Sequence, residues 1–158
     1  MKGRFATRPG EEHLDAPFPM QAEITFIGHV ESQWSLEDCP KNIAQAREAA
    51  KPAHLQIEPQ FRAGLDGIAV GDALVLLYWM DRAPRDLIRQ MPRHRDTATG
   101  TFNLRSPARP NPIGMGVVRV VALDTGAGRI TIDAIDAIDG TPLIDIKPHL
   151  PRADQLPA

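Results

Sequence analysis

The sequence predicts a mainly β protein: a single antiparallel β-barrel domain of about six or seven strands with one or two short helices. Fifteen prolines and twelve glycines interrupt a chain of 158 residues, which argues against long helices. Several short apolar segments alternate with polar residues, a pattern typical of strands. Because many short strands would expose unpaired backbone edges, we expect the sheet to close or nearly close into a barrel.

The elements in the first half of the chain follow from apolar spacing. Residues 1–20 show no periodicity and are expected to form a flexible arm. Residues 24–30 alternate before and after a glycine and predict the first strand, and residues 54–58 alternate in the same way. Residues 42–50 are the best helix candidate, and the apolar run 73–80 predicts a central strand buried on both faces.

The second half contains a polar excursion followed by a hairpin. Residues 82–101 are rich in arginine and predict a surface segment, with a short strand at residues 87–88. Residues 116–123 and 129–132 flank the turn sequence Asp-Thr-Gly-Ala-Gly, which predicts a β-hairpin, and residues 143–146 predict a last strand. The chain is therefore expected to have three parts: a flexible N-terminal arm (1–20), a barrel domain (21–152) and a C-terminal tail (153–158).

Composition excludes several classes of protein. The longest unbroken apolar run has far fewer than the ~20 residues that cross a bilayer, and no apolar stretch follows the basic residues of the N-terminus. Cys39 is the single cysteine, and the five histidines lack the spacing of metal ligands. Phosphate-binding and nucleophile motifs of the usual kinds are absent. We therefore expect a soluble cytoplasmic protein without a metal site and without membrane association.

Positive charge is concentrated in one stretch of the chain. Seven arginines lie between residues 82 and 109, against Asp86 and Asp96. Such a cluster in a mildly acidic protein is consistent with a face that binds a polyanion. A solvated loop whose arginines form surface ion pairs explains the same composition, and both interpretations stay open.

Two segments have unusual local chemistry. Three prolines stiffen residues 105–115, so Arg105, Arg109 and Asn111 either recognise an anion or stabilise a structural turn. Further on, Asp136 and Asp139 precede or begin an Asp-Gly-Thr-Pro turn. These carboxylates suit ribose hydroxyls or an amine, or they cap the turn.

Together the two segments resemble the TsaA-like family, also called the YaeB family. The sequences RSPARPNPIGM and DGTPLIDIKPHLP closely resemble two long family motifs. Residues 27–30 resemble the family's first strand, residues 39–42 its Pro-Arg-Gln segment, and residues 77–81 its Trp-Phe-His segment. The resemblance covers residues 22–152.

The resemblance implies a homodimeric β-barrel methyltransferase that uses S-adenosylmethionine and acts on threonylcarbamoyl-adenosine beside the tRNA anticodon, at a nitrogen. It implies these cofactor-binding residues: Lys41, Asn42, Asp81, Arg82, Arg105, Met115, Ile135 and Asp136. Candidates for catalysis, as groups that take or orient the proton of the acceptor nitrogen, are Asp136 and Asp139. Candidates for substrate binding are Arg109, Asn111 and Lys147.

Four departures from the family pattern concern the predicted site. Asn103 and Leu104 replace Ala-Thr, Asp81 replaces a histidine, His149 replaces a tyrosine, and Lys41 replaces an arginine. These changes affect the identity of the substrate more than cofactor binding. Two alternatives therefore stay open: a barrel that binds S-adenosylmethionine with a small-molecule acceptor, and one that binds it without turnover.

Overall fold

A computed structural model describes residues 7–15, 18–19 and 21–157 of the chain. By their contacts these residues divide into two compact units. The barrel unit contains Ile24–Trp79 and the described residues from Met115 onward. The insertion unit contains the described residues up to Glu23 together with Met80–Gly114. The division at residues 20 and 152 drawn from the sequence stays a prediction.

Strands dominate the described part of the chain. In chain order they are β1 (Glu12–His13), β2 (Gly28–Glu31), β3 (Ala53–Ile57), β4 (Ala73–Trp79), β5 (Leu87–Gln90), β6 (Thr99–Gly100), β7 (Ile113–Asp124), β8 (Arg129–Ile132) and β9 (Pro142–Pro148). The α-helices are α1 (Ile43–Glu48) and α2 (Pro151–Asp154), and 3-10 helices cover Pro59–Leu65 and Thr101–Asn103. None of the helices in the described ranges is long and apolar enough to cross a membrane.

Six strands close into a barrel in the order β2-β3-β8-β7-β4-β9. The pairings of β3 with β2 and β8, of β7 with β8, and of β9 with β2 and β4 are antiparallel. β7 and β8 form the predicted hairpin, in which Gly128 adopts a left-handed φ of 70°. The predicted fold class is confirmed, because closure pairs the strand edges that an open sheet would expose.

The barrel core comes from the inward half of each alternating strand. On β4, Leu74, Leu76 and Tyr78 are at most 2% exposed, whereas the positions between them are half-buried. The expectation that this run is buried on both faces is therefore wrong, since the barrel leaves the outer face of β4 partly exposed. The largest fully buried side chains of the other barrel strands are Val30, Leu55, Ile57, Val118, Val120, Ile130, Ile132 and Leu143.

Part of the predicted N-terminal arm pairs with a strand of the insertion unit. β1 pairs with β5, and Leu14 N donates to Asp86 O at 2.6 Å. His13 also contacts the Asp86 carboxylate, and Glu12 faces Arg89 at 3.5 Å. Sequence periodicity misses a two-residue strand of this kind, which depends on a partner about 75 positions away. The rest of the predicted arm lies partly outside the described residues.

The predicted helix is shorter than its apolar pattern suggests. Asn42 is the N-cap of α1, and its Oδ1 accepts a hydrogen bond from Gln45 N at 3.0 Å. The helix ends at Glu48, and Ala50 takes a left-handed φ of 51° just before Pro52. A reversed φ near the C-terminus and a proline beyond it together end a helix.

Gly28, the first residue of β2, lies with its backbone close against β3. A Cβ atom at position 28 would lie 2.1 Å from Gln56 O, which is a backbone clash. We expect Gly28→Ala to lower the free energy of unfolding by about 1–3 kcal/mol, the usual cost of overpacking. Thermal unfolding measures the change. The control is Gly64→Ala, where no atom lies within 4 Å of the added carbon. Equal stability of the two variants would contradict the close approach of β2 and β3.

The contact between β1 and β5 is expected to be sensitive to acid. His13 Nδ1 lies 2.8 Å from Asp86 Oδ2, and this hydrogen bond holds the pKa of Asp86 below its ordinary value of 3.8. A lowered native pKa means that the carboxylate stabilises the fold above its ordinary pKa, and that this contribution disappears as pH falls through the native pKa. His13→Ala should raise the pKa of Asp86, as measured by carboxyl NMR titration.

A second aspartate is the internal control for that titration. The Ser35 hydroxyl and amide hold the pKa of Asp38 below its ordinary value, in a different unit of the protein. The pKa of Asp38 should stay constant in His13→Ala. An unchanged Asp86 pKa in the variant would show that His13 is not its partner in solution.

Candidate functional site

An irregular segment, residues 133–139, connects β8 to β9 and contains three of the candidate site residues. Its carbonyl groups lie outside the strand ladder, so side chains from an earlier loop satisfy them. Trp34 Nε1 donates to Ile135 O at 2.8 Å, and Cys39 Sγ donates to Asp136 O at 3.3 Å. Ile135 is fully buried and Asp136 is half-buried. The backbone direction at both candidates is therefore set by donors about a hundred positions earlier in the chain.

Asp139 lies at the end of this segment and is held by the same loop. Its Oδ1 accepts from Ser32 N at 3.0 Å, and its own amide donates to Trp34 O at 2.9 Å. Ser32 Oγ donates to Ala137 O at 2.9 Å. Since Asp139 is exposed and already bonded to the backbone, its carboxylate has a clear structural role; its catalytic role stays a prediction.

The Asp136 carboxylate has a partner that sequence analysis missed. Tyr78 Oη donates to Asp136 Oδ1 at 2.7 Å, and Tyr78 itself is 2% exposed. Periodicity assigns Tyr78 to the barrel core together with Leu74 and Leu76. One feature of the sequence indicates such a contact: the hydroxyl of a tyrosine that is buried among aliphatic residues needs a polar partner.

Lys41 and Asn42 lie beside α1, next to the cysteine that bonds to Asp136 O. Asn42 caps the helix, and Lys41 N donates to Gln45 Oε1 at 3.0 Å. Both candidate side chains are exposed. Arg47 fixes the helix on the barrel through Asp133 at 3.0 Å.

Met115 precedes Gly116 on β7. It is 50% exposed, and its neighbour Gly116 is buried. A Cβ atom at Gly116 would lie 3.9 Å from both Ile43 Cδ1 and Tyr78 Oη. Helix α1, β7 and Asp136 therefore converge around the Tyr78 hydroxyl. We call this group the phenol cluster: Ile43, Tyr78, Gly116 and Asp136.

Lys147 forms an ion pair with a residue of its own strand. Its Nζ lies 2.7 Å from Asp145 Oδ2 on the same strand, and both side chains are largely exposed. The period of two along β9 explains why these residues share a side. Its role in substrate binding stays a prediction.

The insertion unit carries the remaining candidates. Asp81, Arg82 and Arg105 are exposed, and Asp81 and Arg82 occupy a turn in which Ala83 N donates to Met80 O. The planar donors of a guanidinium group suit a carboxylate or phosphate ligand.

Two polar side chains of the proline-rich loop form hydrogen bonds within the protein. Arg109 donates to Leu104 O at 3.0 Å and to Ser106 O at 3.3 Å. Asn111 accepts from Arg85, which also donates to Pro110 O at 2.7 Å. These bonds support the structural interpretation of the loop, and substrate binding by Arg109 and Asn111 stays a prediction.

A buried amide further fixes the loop. Gln90, 6% exposed, donates to Thr101 Oγ1 at 2.9 Å and to Ala108 O at 2.6 Å. Thr101 Oγ1 in turn donates a hydrogen bond to Leu87 O at 2.9 Å.

Within the described residues, no group of three or more His, Cys, Asp or Glu side chains could hold a metal ion.

Fold and site together define the class of protein: a closed β-barrel domain with candidate residues in the segment after β8, one of which, Asp136, contacts Tyr78 near the end of β4. A family model described as the tRNA-methyltransferase O N-terminal domain matches residues 29–155. The chain belongs to this family, and the resemblance seen in its motifs is confirmed.

Individual relatives agree with the family. The chain is 34% identical over 142 residues to the "Probable S-adenosyl-L-methionine-binding protein VirR" of Rhizobium radiobacter, covering 89% of this chain and 78% of that one. It is 36% identical over 138 residues to a "Probable S-adenosyl-L-methionine-binding protein" of Archaeoglobus fulgidus, covering 87% of this chain and 36% of that one. A crystal structure of TrmO from Pseudomonas aeruginosa matches with a TM-score of 0.64 at 29% identity, covering 87% of this chain and 60% of that one.

The chain therefore spans 36% of the Archaeoglobus relative and 60% of the Pseudomonas TrmO chain. The similarity concerns the domain that the two have in common with this chain.

The bonds of Asp139 lead to a test of its structural role. Asp139→Ala removes the acceptor for Ser32 N and should cost about 1 kcal/mol, or roughly 2–4 °C in Tm. Asp139→Asn keeps an oxygen acceptor and should retain most of the stability. Thermal unfolding measures both, with exposed Glu37→Ala as the control. An unchanged Tm of Asp139→Ala would show that the contact with Ser32 N does not stabilise the fold.

Proposed function

We propose that this protein is an S-adenosylmethionine-dependent methyltransferase that methylates a nitrogen of threonylcarbamoyl-adenosine beside the tRNA anticodon. The observation that carries the proposal is the phenol cluster. It contains Asp136, and four further residues that the family pattern assigns to the cofactor are close to its members along the chain: Lys41, Asn42, Met115 and Ile135. Family membership and the names of the relatives support the same cofactor.

The chemistry of the phenol cluster fits S-adenosylmethionine. One Asp136 oxygen is held by Tyr78, and among the described residues the other accepts no hydrogen bond. A half-buried carboxylate with a free oxygen suits ribose hydroxyls or an ammonium group. Met115 and Ile43 add apolar and polarisable surface for the rest of the ligand. Arg105, in the insertion unit, has the planar donor geometry that suits a carboxylate.

The contribution of the chain to catalysis is mainly one of position. When bound, S-adenosylmethionine supplies an activated methyl group, and the acceptor nitrogen loses a proton as its bond to carbon forms. Because direct displacement requires alignment within ~3–3.5 Å, holding both reactants accounts for most of the rate. Asp136 and Asp139 are the carboxylates proposed to accept or orient that proton.

The arginine-rich stretch supports an RNA substrate. Arg93, His94 and Arg95 are exposed on one loop of the insertion unit. Exposed cations of this kind bind phosphates with an affinity that falls as salt rises. The proposal also includes that the protein forms a homodimer and acts in the cytoplasm.

The first experiment is a calorimetric titration with S-adenosylmethionine and S-adenosylhomocysteine. We expect micromolar binding, and at least a tenfold loss of affinity in Asp136→Ala and Arg105→Ala, which is about 1.4 kcal/mol. Arg93→Ala is the matched control for removal of an exposed arginine and should bind normally. If folded wild-type protein binds neither ligand, the proposed cofactor site is wrong.

The acceptor is identified by transfer of labelled methyl groups. Label in tRNA, released on digestion as a methylated threonylcarbamoyl-adenosine, is the expected result. Asn103 and Leu104, which depart from the family pattern, favour a second candidate, a small-molecule acceptor. Label in a metabolite extract would support that candidate, and binding without transfer would indicate a non-enzymatic protein.

A further inference from the structure

Tyr78 occupies the end of β4 at an irregularity in the barrel. Leu77 pairs with Asp145 and Tyr78 pairs with Leu143, so Ile144 is an extra residue in β9. A β-bulge of this kind bends the strand and changes the direction of nearby side chains, and bulges are frequent beside functional sites. This bulge lies opposite the step from Leu77 to Tyr78, the residue whose hydroxyl reaches Asp136.

The hydroxyl of Tyr78 is not needed to fill the barrel. The preceding inward positions of β4 are Leu74 and Leu76, and Tyr78 is the single tyrosine of the chain. A phenylalanine would supply the same apolar ring without a polar group to satisfy. The hydroxyl is 2.7 Å from Asp136 Oδ1, so its polar contact is to a residue of the proposed cofactor site.

Asp136 is therefore restrained on both its backbone and its side chain. Cys39 Sγ bonds to its carbonyl, and Tyr78 Oη bonds to one carboxylate oxygen. In the described part of the chain the second oxygen accepts no hydrogen bond, and it is left to a ligand. A carboxylate fixed before binding loses less conformational freedom when the ligand arrives.

We infer that Tyr78 is a positioning residue of the methyltransferase, which acts by orienting the Asp136 carboxylate toward the cofactor. The inference rests on the proposed function, because it assumes that Asp136 contacts S-adenosylmethionine. It assigns a role to a core residue of the barrel that the motif resemblance leaves without one.

A double-mutant cycle tests the inference through cofactor affinity. Tyr78→Phe removes only the hydroxyl and should weaken S-adenosylmethionine binding by ~10-fold, the size expected for loss of a hydrogen bond to a charged group. In an Asp136→Ala background the same substitution should have no further effect, because the group it orients is gone. Calorimetry gives the four dissociation constants.

Leu76→Val is the matched control for a change in the barrel core. Leu76 lies on the same strand and the same face and is fully buried, but it carries no polar group. Any effect of Leu76→Val on binding should be equal in the wild-type and Asp136→Ala backgrounds. Thermal unfolding of every variant shows how much stability each one loses.

The possible outcomes separate the inference from the proposed function. Normal affinity in Tyr78→Phe, with a clear loss in Asp136→Ala, overturns the inference and leaves the cofactor site standing. Equal losses for Tyr78→Phe in both backgrounds make the hydroxyl a structural element and also overturn it. Normal affinity in Asp136→Ala removes Asp136 from the site and overturns both.

Discussion

Closure of the barrel is the constraint on which the rest of the barrel unit depends. β9 has seven residues, yet it pairs with β2 through Leu143 and Pro142 and with β4 through Leu143 and residues 145–148. This single short strand joins the first barrel strand to the central one. Without it, β2 and β4 would each present an unpaired edge, and the inward residues of six strands would lose their common core.

Closure also explains why the candidate site lies where it does. The chain leaves β8 and must reach β9 through residues 133–139, whose carbonyl groups have no strand partner. Donors from the loop after β2 satisfy these groups, among them Trp34 and Cys39. The same bonds that make the connection stable hold Asp136 in one direction. Stability and the preparation of the site are therefore consequences of one arrangement.

In the insertion unit, side chains rather than backbone amides donate to the carbonyl groups of a loop. Its proline-rich loop lacks the donors that a strand would use, since proline has no N–H group. Gln90, Arg85 and Arg109 donate to carbonyl groups of the loop instead. Some residues that look like ligand-binding groups in the sequence are thus occupied within the loop. Arg105 of the same loop is exposed.

Sequence alone determined the class of fold, the family and most of the strands. The alternation of β4 and the turn between β7 and β8 are local signals, and the two long motifs are specific enough to identify the family. Tertiary structure decided which distant groups meet: Tyr78 is 58 positions from Asp136, and Ser32 is 107 positions from Asp139. Apolar periodicity records which face of a strand is buried, but not its register or its partners. Those follow from barrel closure, which no local pattern encodes.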